Sequence, residues 1–177
     1  MRKKTIVGTI LVIFILSGSI FAQEKEGQKI ELPQLTLEQK WGRSVMNLTV
    51  MNIASIAYAK SKGETPGDMG KFVGELVSPS WEGVKGMKPF IRAMYRNWQM
   101  FKNFQMEILS ESETSFIAKI KGFGEGFVKA QENYGVTVEE YLQFFEQIGA
   151  AISKSIGLEY KQKVEGDWVI ITVTEKK

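Results

Sequence analysis

Residues 104–121, FQMEILSESETSFIAKIK, decide how the chain is read. Upstream of them apolar residues recur every three or four positions. Here they alternate: Phe104, Met106 and Ile108 with Gln105, Glu107 and Leu109, then Phe116, Ala118 and Ile120 beyond the polar stretch Ser112 to Thr114. A period of two turns one side of an extended chain inward, so the segment predicts a β-hairpin. Residues 158–174, LEYKQKVEGDWVIITVT, repeat the pattern. Leu158, Tyr160 and Val164 alternate with Glu159, Lys161 and Lys163, Glu165-Gly166-Asp167 turns the chain, and Trp168 to Thr174 is rich in β-branched residues.

Working outward, three helices precede the first hairpin. Thr36 with Gln39 forms a capping box, and Leu37, Trp41, Val45, Leu48, Asn52, Ile56 and Ala59 keep helical spacing up to Lys60 to Gly63. Between Val45 and Ala59 this helix is apolar on nearly every side, which makes it the expected central, most enclosed one. Thr65, Pro66 and Asp68 start a second helix whose inward stripe is Met69, Phe72, Val73 and Leu76. The third covers Met87 to Lys102, with Ile91, Met94, Tyr95, Trp98 and Phe101 inward and Lys88, Arg92 and Arg96 outward. Gly122 to Gly126 breaks the chain, a short helix runs to Asn133, and Thr137 with Glu140 caps another. That helix carries Val138, Tyr141, Leu142, Phe145, Ile148, Ile152 and Ile156 on one face and ends at Gly157. The order ααα-ββ-α(α)-ββ predicts an α+β fold, helices packed on one face of a four-stranded antiparallel sheet made of two hairpins.

Residues 1–22 read as a secretory signal peptide. Arg2, Lys3 and Lys4 precede the apolar run Ile6 to Leu16, and small residues at Ser17, Gly18 and Ser19 lead to Ala22, after which cleavage is expected. Residues 23–34 are then a polar leader and 35–177 a single α+β domain, exported to the periplasm or secreted. The signal holds three of the 23 basic residues and none of the 20 acidic ones, so the remainder is electrically balanced. The excess of three positive charges therefore belongs to the targeting segment and gives no support to nucleic-acid binding. No integral membrane segment is expected after cleavage, since Asn47, Thr49, Asn52 and Ser55 interrupt the apolar helix.

Two stretches carry a family resemblance. GMKPFIRAMYRNWQMF (86–101), leading into two strands, and YLQFFEQIGAAISKSIGLEYKQKVEGDWVIITV (141–173) resemble α+β small-ligand-binding domains. These are the domains grouped around 2-amino-thiazoline-4-carboxylic acid hydrolase-like proteins and the small-molecule sensors of the vinyl-reductase type. The resemblance implies a ligand-binding α+β domain. Many members carry cysteine or histidine in the pocket region and this chain has neither, so no functional residue is carried over.

The absence of histidine removes imidazole bases, histidine-containing triads and the common zinc and proximal haem sites; the absence of cysteine removes thiol nucleophiles, disulfides and thiolate ligation. No catalytic, cofactor or metal residue is assigned, and non-catalytic roles come first. Three readings remain: an exported domain binding a small, largely apolar ligand or a protein partner; a homo-oligomer assembled through its sheet; an enzyme working with glutamate or lysine. For the first, Asn52 and Ser55 lie one turn apart on the helix expected to be most buried, and Met94, Tyr95 and Trp98 supply an adaptable apolar wall. The same residues suit ordinary core and interhelical hydrogen bonds. For the second, Val169, Ile171 and Val173 form an apolar strand face. For the third, Glu107, Glu111 and Glu113, or Glu139, Glu140 and Glu146, offer carboxylate pairs. Gly122-Phe123-Gly124-Glu125-Gly126 lacks the spacing and the lysine of a phosphate loop and reads as a permissive bend.

Overall fold

The computed structural model describes residues 33–124, 127 and 134–176. The signal peptide, the leader up to residue 32 and, Phe127 apart, the expected short helix up to Asn133 lie outside the described residues. In chain order the elements are α1 (Leu37–Ser61), α2 (Pro66–Val77), a 3-10 turn (Ser78–Trp81), α3 (Met87–Trp98), β1 (Gln105–Glu111), β2 (Ser115–Lys121), α4 (Val138–Ser155), β3 (Leu158–Glu165) and β4 (Trp168–Glu175). The strands make one antiparallel sheet in the order β1-β2-β4-β3, two hairpins joined through β2 and β4.

Alternation along the central strands decides which face is covered. Phe116, Ala118 and Ile120 of β2 are buried beside Val173, Ile171 and Val169 of β4, their register partners. Met87, Phe90 and Trp98 of α3 and Ile152 of α4 close over them. The strand face Val169, Ile171 and Val173 is therefore covered by the protein's own helices. Ile117, Lys119 and Lys121 share the opposite face with Trp168, Ile170 and Thr172, and the ammonium groups of Lys119 and Lys121 lie 4.4 and 4.6 Å from the Trp168 ring centroid. A second core joins Ile53 and Ile56 of α1 to Tyr141 and Phe144 of α4, with Phe127 and Val136.

Three expectations about the helices are corrected. The most enclosed helix is α4, which packs against α2 on one side and β3 on the other. On α1 only Thr49, Ile53, Ile56 and Ala59 are buried, while Met51 and Tyr58 are 66% and 63% exposed. An apolar residue on every side does not bury a helix that is approached from only one. The second correction concerns α2, where Phe72 and Leu76, expected inward, are 59% and 67% exposed. Its contact face is Pro66, Gly70 and Gly74, because the missing side chains let the α2 backbone reach that of α4. The third helix also stops at Trp98, four residues early, in a turn where Phe101 N–H donates to the Trp98 carbonyl at 3.0 Å.

All three helix starts marked by threonine are capping boxes. The one at Thr137 also ties two helices together. Lys60 Nζ lies 2.7 Å from Glu140 Oε1 and donates to the Gly135 carbonyl at 2.9 Å, while Glu140 Oε2 accepts from Thr137 N–H at 2.8 Å. Partial burial raises the Glu140 pKa, but the Lys60 ammonium and the Thr137 amide outweigh it and leave it below the ordinary glutamate value. A depressed folded pKa contributes stability that is complete above the unfolded value and lost as pH falls through the folded one. Thr137→Ala is expected to cost about 1 kcal/mol at neutral pH. Urea unfolding at about pH 7 and about pH 4 should show a smaller stability loss on acidification in Lys60→Met than in the parent, and equal losses would refute the coupling.

Candidate functional site

Where the two cores meet, α1, α3, α4 and β3 leave a cavity of about 140 Å³. Its walls follow from helical spacing. Thr49 and Asn52 project from one side of α1, Met94 and Trp98 lie one turn apart on α3, and Tyr141, Phe145, Ile148 and Ile152 descend α4. Tyr160 and Gln162 of β3 form the floor, two residues apart on the covered side of the strand. Gly149 opens space for the Tyr160 ring: a Cβ there would sit 2.7 Å from Tyr160 Cε1. Leu48 and Asn97, both exposed, mark the mouth.

No charged side chain lines this cavity. Aromatic rings do: Phe123 lies 4.9 Å from Phe145 and 5.5 Å from Phe101, both near-perpendicular, and Tyr141 lies 4.9 Å from Phe145. Such edge contacts fix the walls as a connected set. Two buried tyrosines bring the polar groups. The Tyr160 hydroxyl donates to Gln162 Oε1 at 2.8 Å, and Gln162 Nε2 donates to the Leu142 carbonyl at 3.1 Å. The Gln162 backbone N–H, on the outer side of edge strand β3, donates to Glu146 Oε1 at 3.1 Å. The Tyr141 hydroxyl has Thr49 and Asn52 within hydrogen-bonding reach, and burial still pushes its pKa up to about 12. Burial, with the Glu146 carboxylate nearby, pushes Tyr160 up as well, so both phenols hold their protons at neutral pH.

Of the five residues singled out in the sequence, Asn52, Met94 and Trp98 line the cavity and two do not. Ser55 donates to the Met51 carbonyl at 2.9 Å, a bond within its own helix. Tyr95 is 39% exposed and packs edge-on against Phe104 at 5.8 Å. Sequence reasoning missed Tyr141, Tyr160 and Gln162. The signal available was a hydroxyl or amide at positions the periodicity already assigned to the interior, where each must find a partner.

A wider hollow of about 510 Å³ lies across Phe123 and Tyr141, which line both spaces. It contains Lys121 and Asp167 and borders Gly122, Phe123 and Gly124, with positions 125 and 126 outside the described residues. Gly122 has φ +82°, and a Cβ on it would collide with the Asn103 carbonyl, so this glycine serves the bend. The candidate carboxylates are dispersed. Glu107 pairs with Lys119 at 2.7 Å, Glu111 with Lys88 at 3.5 Å, Glu140 sits in its cap, and Glu113 and Glu139 are exposed. Among the described residues no group of three or more acidic side chains is placed to hold a metal ion, and no helix is long and apolar enough to cross a membrane.

No protein-family model matches the chain, and no curated protein matches it in sequence. Among solved structures, it is similar to an Fe(II) unliganded H-NOX protein from K. algicida, at 9% identity over 97% of this chain and 91% of that one, with a TM-score of 0.39. A mutant of that protein gives 8% identity over 93% and 88%, with a TM-score of 0.37. The likeness is too slight to bear on the site.

Proposed function

We propose that the mature protein is an exported, non-catalytic domain that binds one small, largely apolar molecule in the cavity between α1, α3, α4 and β3. The observation that carries this reading is the lining itself: uncharged, mainly aromatic and methionine side chains, with a few polar groups among them. The size fits. A volume of about 140 Å³ is close to that of engineered apolar cavities of about 150 Å³ that stay dry and take up benzene. Methionines at 94 and 100 give the wall its adaptability. Export rests on the order of basic, apolar and small residues through Ala22.

Native mass spectrometry of protein purified from its own host tests both parts. The expected result is a chain beginning at Gln23 with the mass of one small molecule added, lost on denaturation. A bare chain, together with no heteronuclear NMR shifts around Ile148 and Ile152 on adding toluene, would overturn the binding reading. A chain retaining Met1 to Ala22 would overturn the cleavage.

A further inference from the structure

We infer that the open edge strand β1, with the groove between it and α3, is a docking site for an extended, acidic segment of another protein, which adds to the sheet as a fifth strand.

The two edges of the sheet are finished differently. On β3 the outward Gln162 N–H is taken by Glu146 of α4 at 3.1 Å, and α4 packs against the strand. β1 pairs with β2 on one side and has no strand on the other, and among the described residues no side chain caps its outer amides. Its register is regular from Gln105 to Ile108 and shifts at a bulge before Ser110, so that stretch offers a straight backbone edge for pairing. Beside it, α3 runs in the opposite sense: Lys88 reaches Glu111 at 3.5 Å, Ile91 and Ile108 line one groove, and Tyr95 meets Phe104 just before the strand. The groove holds about 260 Å³ over Met87, Ile91 and Phe116. Ile108 shares the helix-facing side with its register partner Ala118, yet Ala118 is buried and Ile108 is 59% exposed. A side chain from an added strand would cover it.

The chemistry of the occupant follows from α3. This helix carries Lys88, Arg92 and Arg96 in one row and no acidic residue. Lys88 has Glu111, whereas among the described residues Arg92 and Arg96 have no carboxylate within 4 Å. Four residues of helix advance about 6 Å and two residues of strand about 6.6 Å, so alternate side chains of an extended segment keep step with the row. An apolar residue over Ile91 and Ile108, followed by carboxylates at the next two alternate positions, would fill the groove and meet Arg92 and Arg96. A second copy of the chain fits worse. Two β1 strands paired about a twofold axis would bring both basic rows to the same side of the joined sheet, where they repel.

The probe is the peptide acetyl-ETETVTETE-amide, which reads alike in both directions, titrated at low salt into the mature protein and followed by NMR. The backbone amides of Gln105 to Ile108 should shift. The counterpart acetyl-QTQTVTQTQ-amide should bind at least about tenfold more weakly, and Arg92→Gln should weaken the acidic peptide about fivefold, both differences shrinking as salt is added. An edge strand pairs through alternate residues, so of two acidic peptides, one N-methylated at its threonines and the other at the remaining residues, one should lose binding and the other keep it. No shift in β1 with the acidic peptide would overturn the site. Equal binding of the acidic and glutamine peptides would overturn the charge assignment, and undiminished binding of both methylated forms would overturn strand addition. If the β1 amides move with protein concentration alone, as the chain dimerises, the occupant is a second copy and the proposal fails.

Discussion

Gly70→Ala is expected to destabilise the protein by about 2 to 3 kcal/mol, although alanine favours helix over glycine by about 1 kcal/mol. The added methyl would fall on the carbonyl oxygen of Phe144, and that oxygen belongs to the backbone of α4 and cannot rotate away. Either α2 lifts from α4 or α4 bends, and both disturb the most extensive helix contact of the fold. Gly74 repeats the arrangement one turn on, where a Cβ would lie 2.7 Å from Ala151 Cβ and 2.9 Å from Ile148 Cα. Gly42 supplies the control. It is exposed on α1 with nothing within 4 Å of its would-be Cβ, so Gly42→Ala should stabilise by about 0.5 to 1 kcal/mol through propensity alone. Urea unfolding of the two variants should therefore move in opposite directions. A stabilised Gly70→Ala would show that the α2–α4 approach is looser than described.

The same glycines explain where the sequence was legible and where it was not. Strand alternation at Phe116, Ala118 and Ile120 carried the sheet, because period two has one structural meaning when one face is covered. The threonine capping boxes carried the helix starts for a similar reason, since a side chain that satisfies its own helix end depends on nothing distant. Burial of helices was read less well. Met69, Phe72, Val73 and Leu76 announce an amphipathic stripe, yet Gly67, Gly70 and Gly74 define a competing face at the same period. A hydropathy pattern cannot rank a flat apolar stripe against a smooth one, because close approach depends on the partner's backbone. For the cavity, Trp98 and Met94 were legible as inward residues of one helix. Tyr141, Tyr160 and Gln162 come from segments separated in sequence, and only the placement of β3 beside α4 brings them to Asn52 and Trp98.

Trp98→Ala is expected to be the most costly substitution in the cavity wall, and its cost should be partly recoverable from solution. Trp98 is 6% exposed and its ring lies 5.9 Å from that of Phe104, so removing it forfeits about 3 to 5 kcal/mol. The space vacated adjoins the existing cavity, since Trp98 is part of the lining. An indole molecule then finds the volume of the missing side chain added to about 140 Å³, in the shape of the ring that was removed. At a free concentration of about 100 times its dissociation constant a ligand stabilises by about 2.7 kcal/mol. For a domain of this length that corresponds to a rise in Tm of about 5 to 10 °C for the variant, with a smaller change for the parent, which lacks the vacated space. Trp41→Ala, which removes a partly exposed indole from α1 outside the lining, should show no such rescue. If indole moves Trp98→Ala and Trp41→Ala alike, the effect is general solvation and the cavity does not extend to Trp98. Should Trp98→Ala be too unstable to purify, Trp98→Leu poses the same question with a smaller vacancy, and benzene in place of indole. Differential rescue would show that α1, α3, α4 and β3 hold their positions around an empty space, which is the property a binding domain needs before any ligand arrives.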